Sequence, residues 1–243
     1  MVGGDRDIGM GLIDQHLRLV CGHSDAQYKR LIEWLADAVQ KPTERSGLVF
    51  CVSGPPGCGK GVLWQLISRL FGASACFQTS TPQRDVWGSN NAHMRDAVFV
   101  NICEAAPHTF MAGLKSVVSG EVLRVRVRYQ PATWISTRAR FIINTNQPVV
   151  DRRIVNLECS ADMVGNNAFF EALNAAINDD GVIHAVRDLL DGWGKSPWFR
   201  LRKKLKVRAV VLYWLGLTEA RMAAGGPAEA RDRAAFAAEF GSD

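Results

Sequence analysis

Residues 48–62 read Leu-Val-Phe-Cys-Val-Ser-Gly-Pro-Pro-Gly-Cys-Gly-Lys-Gly-Val. The apolar run at 48–52 has the composition of a buried strand, and Val62, Leu63, Leu66, Ile67 and Leu70 follow at helical spacing. Between them lies a glycine-rich turn, so the stretch predicts strand, loop and helix in the context that phosphate binding requires. Glycines let backbone N–H groups turn inward onto phosphate oxygens, and the helix N-terminus adds partial positive charge. The expected contacts run through Gly54, Pro55, Pro56, Gly57, Cys58, Gly59, Lys60, Gly61 and Val62, with Lys60 reaching the terminal phosphates. One position departs from the pattern. Gly61 stands where a serine or threonine usually helps to hold magnesium, and Val62 brings no hydroxyl either. The competing reading is a βα turn that binds nothing.

The 243 residues suffice for one large α/β domain with a small appendage, and 47% hydrophobic content is ample for a buried core. No apolar run approaches membrane-spanning length and no signal-peptide core opens the chain, which excludes a membrane role from the expectations. The six cysteines are scattered singly, without Cys-x-x-Cys pairs or histidines at metal spacing. That usage points to an intracellular, reducing compartment and against a structural metal. The net charge of +5 is modest, but basic residues gather at 124–140 and again at 200–208.

Along the chain, an apolar run near 13–20 and the stripe Tyr28, Leu31, Ile32, Leu35, Val39 predict an N-terminal helical segment over 1–45, stopped by Lys41-Pro42. A core follows over 46–160. It reads as the phosphate loop, an irregular polar stretch at 72–91, a buried strand at 97–103, and a helix near 111–118. After the turn Ser119-Gly120-Glu121 comes a half-exposed strand at 122–129, then further apolar strands at 140–143 and 154–157. Residues 161–218 turn helical, and 219–243, rich in Ala, Gly, Glu and Arg, read as a weakly held tail. Strands alternating with helices around a phosphate loop predict a mostly parallel sheet covered on both faces.

Hydrolysis of a nucleoside triphosphate needs a carboxylate beside the γ-phosphate, and Glu104 falls where the second buried strand ends. It is the candidate to orient the attacking water and to hold magnesium indirectly. Cys103 precedes it where many such enzymes carry aspartate, so the metal would depend more on waters and phosphates. The bland reading of Glu104 is a first-turn acid favoured by the helix dipole. Asn146 ends the next strand and could meet the γ-phosphate, or serve only as a turn residue before Gln147-Pro148. Arg152 and Arg153 are candidates to stabilise transition-state charge, from a neighbouring subunit, or are surface arginines paired with Asp151. In Arg124-Val125-Arg126-Val127-Arg128 the arginines share one strand face. Three like charges on one face repel unless an anion lies opposite, and a nucleic-acid backbone is the natural one; a solvated face is the alternative.

In this order the motifs resemble the superfamily 3 helicases of viral, phage and plasmid replication, nearest to the helicase part of poxvirus-type and phage primase-helicases. Gly54 through Gly61 resembles the Walker A loop, and the strand ending on Glu104 resembles Walker B. Leu114-Lys115, Gly120-Glu121 and the basic strand to Tyr129-Gln130 resemble motif B′. The strand ending on Asn146 resembles motif C with its sensor asparagine. The similarity covers roughly residues 15–190 and is specific as an ordered set. It implies an AAA+-type core, ATP and Mg²⁺ as cofactors, a homo-hexameric ring with nucleotide between subunits, and movement along single-stranded DNA by hairpins in a central pore. Lys115 and Arg128 become pore candidates with Arg124 and Arg126. No room remains for a primase ahead of the helicase, so the expectation is a stand-alone helicase, a fragment or a remnant, with a primase or other replication proteins as candidate partners. A nucleotide-binding protein that assembles on DNA without unwinding it is the alternative of another class. A P-loop kinase of a small substrate is a third; it needs a lid and acceptor pocket that no motif marks.

Overall fold

The computed structural model describes residues 3–194 apart from 90, 105, 106, 120, 121, 128 and 147. Helices α1 (Gly3–Val20) and α2 (Asp25–Gln40) lead into β1 (Val49–Ser53), and α3 (Lys60–Phe71) follows the phosphate loop. Then come β2 (Cys76–Thr79), a short α4 (Pro82–Asp85), β3 (Phe99–Cys103) and α5 (Pro107–Ser119). A two-stranded antiparallel ribbon, β4 (Leu123–Val125) with β5 (Thr133–Ile135), precedes β6 (Arg140–Asn144) and β7 (Ile154–Glu158). Helices α6 (Asn167–Asn178) and α7 (Asp180–Gly192) close the described chain. The central sheet is parallel throughout, in the order β2-β3-β6-β1-β7. The expectation of an α/β chain with a mostly parallel sheet between helices holds.

Every residue of β1 is buried, which is why the strand reads as an unbroken apolar run rather than an alternation. On one face Val49, Cys51, Val100, Ile102, Phe141 and Ile143 pack with Phe110 and Leu114 of α5 and with Leu123 and Val125 of the ribbon. On the other, Phe50 and Phe99 meet Trp34 of α2 at ring-centroid distances of 4.7 and 5.2 Å, and Phe71 of α3 meets Phe99 at 4.6 Å. Fully burying a phenylalanine of this kind stabilises the fold by about 1.5–3 kcal/mol. Helices α1, α6 and α7 pack behind α2 and α3. Arginines join this layer by capping carbonyls at helix ends. Arg69 donates to Ile177 O and Asn178 O, and Arg187 donates to Leu70 O at 2.7 Å.

Three elements differ from the sequence reading. The polar stretch 72–91 hides β2, an edge strand whose half-exposed residues lack an apolar signature. The arginine strand is regular only over Leu123–Val125, because its partner β5 is equally short. Helix α1 begins at Gly3, well before the apolar run. Arg140 opens β6 fully buried, donating to Asp37 Oδ2 at 2.9 Å and to Lys41 O at 3.2 Å. The described cysteines are free thiols, and no described helix is long and apolar enough to cross a membrane. The basic segment 200–208, the apolar run 207–217 and the tail 219–243 lie outside the described residues.

Candidate active site

The phosphate loop leaves β1 at the carboxyl end of the sheet and enters α3 at Lys60. Gly54 and Gly59 are glycines for two reasons at once. Their φ angles are +145° and +99°, and a Cβ on Gly59 would lie 2.7 Å from His16 Cε1. His16 thus reaches from α1 to the underside of the loop. It is fully buried and neither ring nitrogen has a partner, so burial pulls its pKa down to about 4 and keeps the imidazole neutral. Cys58 is buried beside Cys159, whose thiol donates to Cys58 O at 3.0 Å; burial pushes that thiol up. Lys60 does not extend outward. Its ammonium donates to Gly54 O at 2.6 Å and Pro55 O at 2.9 Å, folded onto its own loop. Gly61 is different from its neighbours, for a Cβ there meets nothing within 4 Å.

A cavity of about 1370 Å³ opens over the loop. It is lined by Gly57, Gly59, Lys60, Gly61 and Val62 together with Glu104 and Asn146, residues distant in sequence. Glu104 is exposed, and its φ of +55° is left-handed, a conformation that costs a non-glycine residue about 1–3 kcal/mol. The Cys103 thiol turns sideways and donates to Thr79 O at 3.6 Å; burial raises its pKa. The sequence reading missed several cavity walls. Trp64 and Gln65 come from α3, Gln78 from β2, Asn101 and Asn144 from within the strands, and Asn167 and Phe170 from α6. The last two belong to the helical layer, and no local motif marks them. Among the described residues no group of three or more His, Cys, Asp or Glu could hold a metal; the cavity's oxygen donors include Glu104 and side-chain amides, which are of the type hard cations take.

The ribbon carries the basic surface. Arg124 is exposed opposite Trp134, itself 66% exposed, and Arg126 is exposed just past the strand. Buried Asn91 fastens this strand: its amide donates to Val86 O and Arg124 O at 2.9 Å each, and its carbonyl accepts from Arg126 N at 2.9 Å. Arg128 lies outside the described residues. Lys115 is on α5, where its ammonium lies 3.2 Å from Asp151. Arg153 N donates to the same carboxylate at 3.0 Å and its guanidinium approaches to 3.7 Å, and these contacts hold Asp151 below the usual carboxylate range. Arg152 is exposed and lines a second cavity with Arg30 and Arg45, making no ion pair among the described residues. Neither Arg152 nor Arg153 lines the phosphate-loop cavity.

Residues 52–153 match a family model described as a family of unknown function, DUF5906. No curated protein matches the sequence. Among solved structures, the A form apo structure of the NrS-1 C-terminal region is 20% identical. It aligns at TM-score 0.59 over 79% of this chain and 50% of its own. A second apo structure of that region is 19% identical at TM-score 0.56, covering 80% and 54%. A JCV helicase structure is 10% identical at TM-score 0.47, covering 84% of this chain and 66% of its own. The chain spans about half the length of the NrS-1 structures it matches. What these likenesses establish is a shared fold, a parallel α/β core of the NrS-1 C-terminal type.

Proposed function

We propose that the chain is an ATP-driven helicase of the superfamily 3 type, moving along single-stranded DNA in the replication of a viral, phage or plasmid-type element. One observation carries the reading. A single cavity at the carboxyl end of a parallel sheet joins the phosphate loop to Glu104 and Asn146, while a separate ribbon exposes Arg124, Arg126 and Trp134. Charged and aromatic groups interleaved on a ribbon suit the backbone and bases of a single strand. On this reading residues 1–45 are an N-terminal helical segment, 46–160 the ATPase core and 161–218 a helical C-terminal segment. The active form is a homo-hexamer, with a primase or another replication protein as partner.

In the chemical step Lys60 leaves Gly54 O and Pro55 O for the β- and γ-phosphates. Glu104 accepts the proton of the attacking water, and Asn146 donates its amide to the γ-phosphate. Arg152 or Arg153 of a neighbouring subunit meets the charge that spreads over the transferred group. Magnesium bound with ATP would supply charge neutralisation, with Glu104 and the cavity's amides facing it.

The test is ATP hydrolysis with and without single-stranded DNA, repeated with Arg124→Ala/Arg126→Ala. The expected result is stimulation by DNA, reduced in the double variant, whose DNA binding loses about 0.7 of salt slope per lost phosphate contact. A rate indifferent to DNA sinks the helicase reading. The second reading, a nucleotide-binding protein that assembles on DNA without unwinding it, draws on Gly61 and on the sideways Cys103 thiol, which leave two metal-ligand positions without oxygen. Displacement of a strand from a forked duplex separates the two.

A further inference from the structure

Strands β3 and β6 lie side by side with Cys103 opposite Asn144 and Asn101 opposite Ile142, and β2 places Gln78 opposite Asn101. Partners in a parallel ladder project to the same face, and residues two apart along a strand share it. Asn101, Cys103 and Asn144 therefore face the side that α3 covers, within the cavity that Gly61 borders. Asn101 is 1% exposed and donates to Gln78 Oε1 at 3.3 Å, yet its own carbonyl oxygen is buried without a partner. The side-chain carbonyl of Asn144 is likewise buried and unpartnered among the described residues. Burying an amide oxygen without a donor destabilises a fold, and here it happens twice in one cavity wall.

A donor has to arrive with the ligand. Phosphate oxygens only accept, so they cannot satisfy a carbonyl. The water shell of a hard cation can, and magnesium characteristically keeps several of its waters when phosphates hold it. We propose that Asn101 and Asn144 accept hydrogen bonds from the aqua ligands of nucleotide-bound magnesium, in place of the carboxylate missing at Cys103 and the hydroxyl missing at Gly61. This rests on the ATP reading above. Both groups are neutral, and Glu104 is the one carboxylate among the described residues lining the cavity, so the cation enters and leaves with the nucleotide.

The test is equilibrium binding of a fluorescent ATP analogue, titrated with Mg²⁺ and compared with binding in EDTA. Asn101→Ala and Asn144→Ala should each raise the Mg²⁺ midpoint about tenfold, the size expected for groups one shell removed from a metal. Affinity in EDTA should stay at the parent level. Asn144→Asp, which keeps the shape and adds charge, should lower the midpoint. It carries the test if the alanine variants fail to fold by circular dichroism. Unmoved midpoints with normal EDTA binding overturn the proposal alone. If the parent chain binds no analogue with or without Mg²⁺, the nucleotide reading falls and this inference falls with it.

Discussion

Asn91 beneath the arginine ribbon and Asn101 beneath the phosphate loop are 0% and 1% exposed, and they differ in where their partners are. Asn91 spends its amide and carbonyl on three backbone groups, and Asn156 does the same with both backbone groups of Val149. Asn101 and Asn144 each keep a buried carbonyl without a partner, in the wall of a cavity. Arg153 and Arg152 divide in the same way, the first held on Asp151 and the second exposed. Polar groups closed within the chain set its shape, whereas those left open face what the chain meets. An open group alone is not enough: His16 and Arg140 also have unpartnered nitrogens, but neither lines the phosphate-loop cavity.

The largest expected effect tests the arginine pair. Arg152→Ala should leave ATP binding near normal and lower turnover by about a thousandfold or more if it acts across a subunit interface. Arg153→Ala should cost less turnover, since its first partner is Asp151. Mixing Arg152→Ala with Lys60→Ala should restore some activity, because one parent's arginine meets the other's working pocket. If subunits exchange and the mixture stays dead, action in trans is excluded.

Next comes the asparagine contrast itself. Asn91→Ala strands three backbone groups and should lower unfolding free energy by about 3–4 kcal/mol. Asn101→Ala should change it by less than about 1 kcal/mol, because it removes an unsatisfied carbonyl along with one weak bond. Urea denaturation of both variants decides, and equal losses would break the comparison.

The smallest effect concerns His16. Its pKa is about 4 in the fold against 6.5 unfolded, so the unfolded chain binds the extra proton between those values. Its contribution is therefore intact above pH 6.5 and lost as pH falls toward 4, about 3 kcal/mol at most. His16→Gln should flatten stability against pH in that window. A slope unchanged by the substitution would mean other groups carry it.

What sequence revealed and what it hid follow from the range of the interactions. The strand into the phosphate loop, the strand into Glu104 and the strand leading to Asn146 were legible because each is a contiguous apolar run followed by a distinctive residue. Strand β2 was not, since an edge strand with Gln78 facing a cavity has neither alternation nor an apolar run. Asn91 read only as the end of an irregular polar stretch, because its partners Arg124 and Arg126 lie more than thirty positions away. Asn144 carried no reading of its own, lying between the apolar run 140–143 and the candidate Asn146. Its openness is a fact about what surrounds it, and no spacing rule encodes that.

Lys60 carries a last consequence. With its ammonium on Gly54 O and Pro55 O, the loop is occupied by a ligand tethered to itself. Phosphate binding is then an exchange rather than a filling, in which the cation trades two neutral oxygens for anionic ones. Both sets of bonds are charge-assisted by the ammonium, and on the ATP reading it is the added attraction between opposite full charges that drives the trade. On the ATP reading, the self-held lysine also braces the loop from within, through the carbonyls of Gly54 and Pro55.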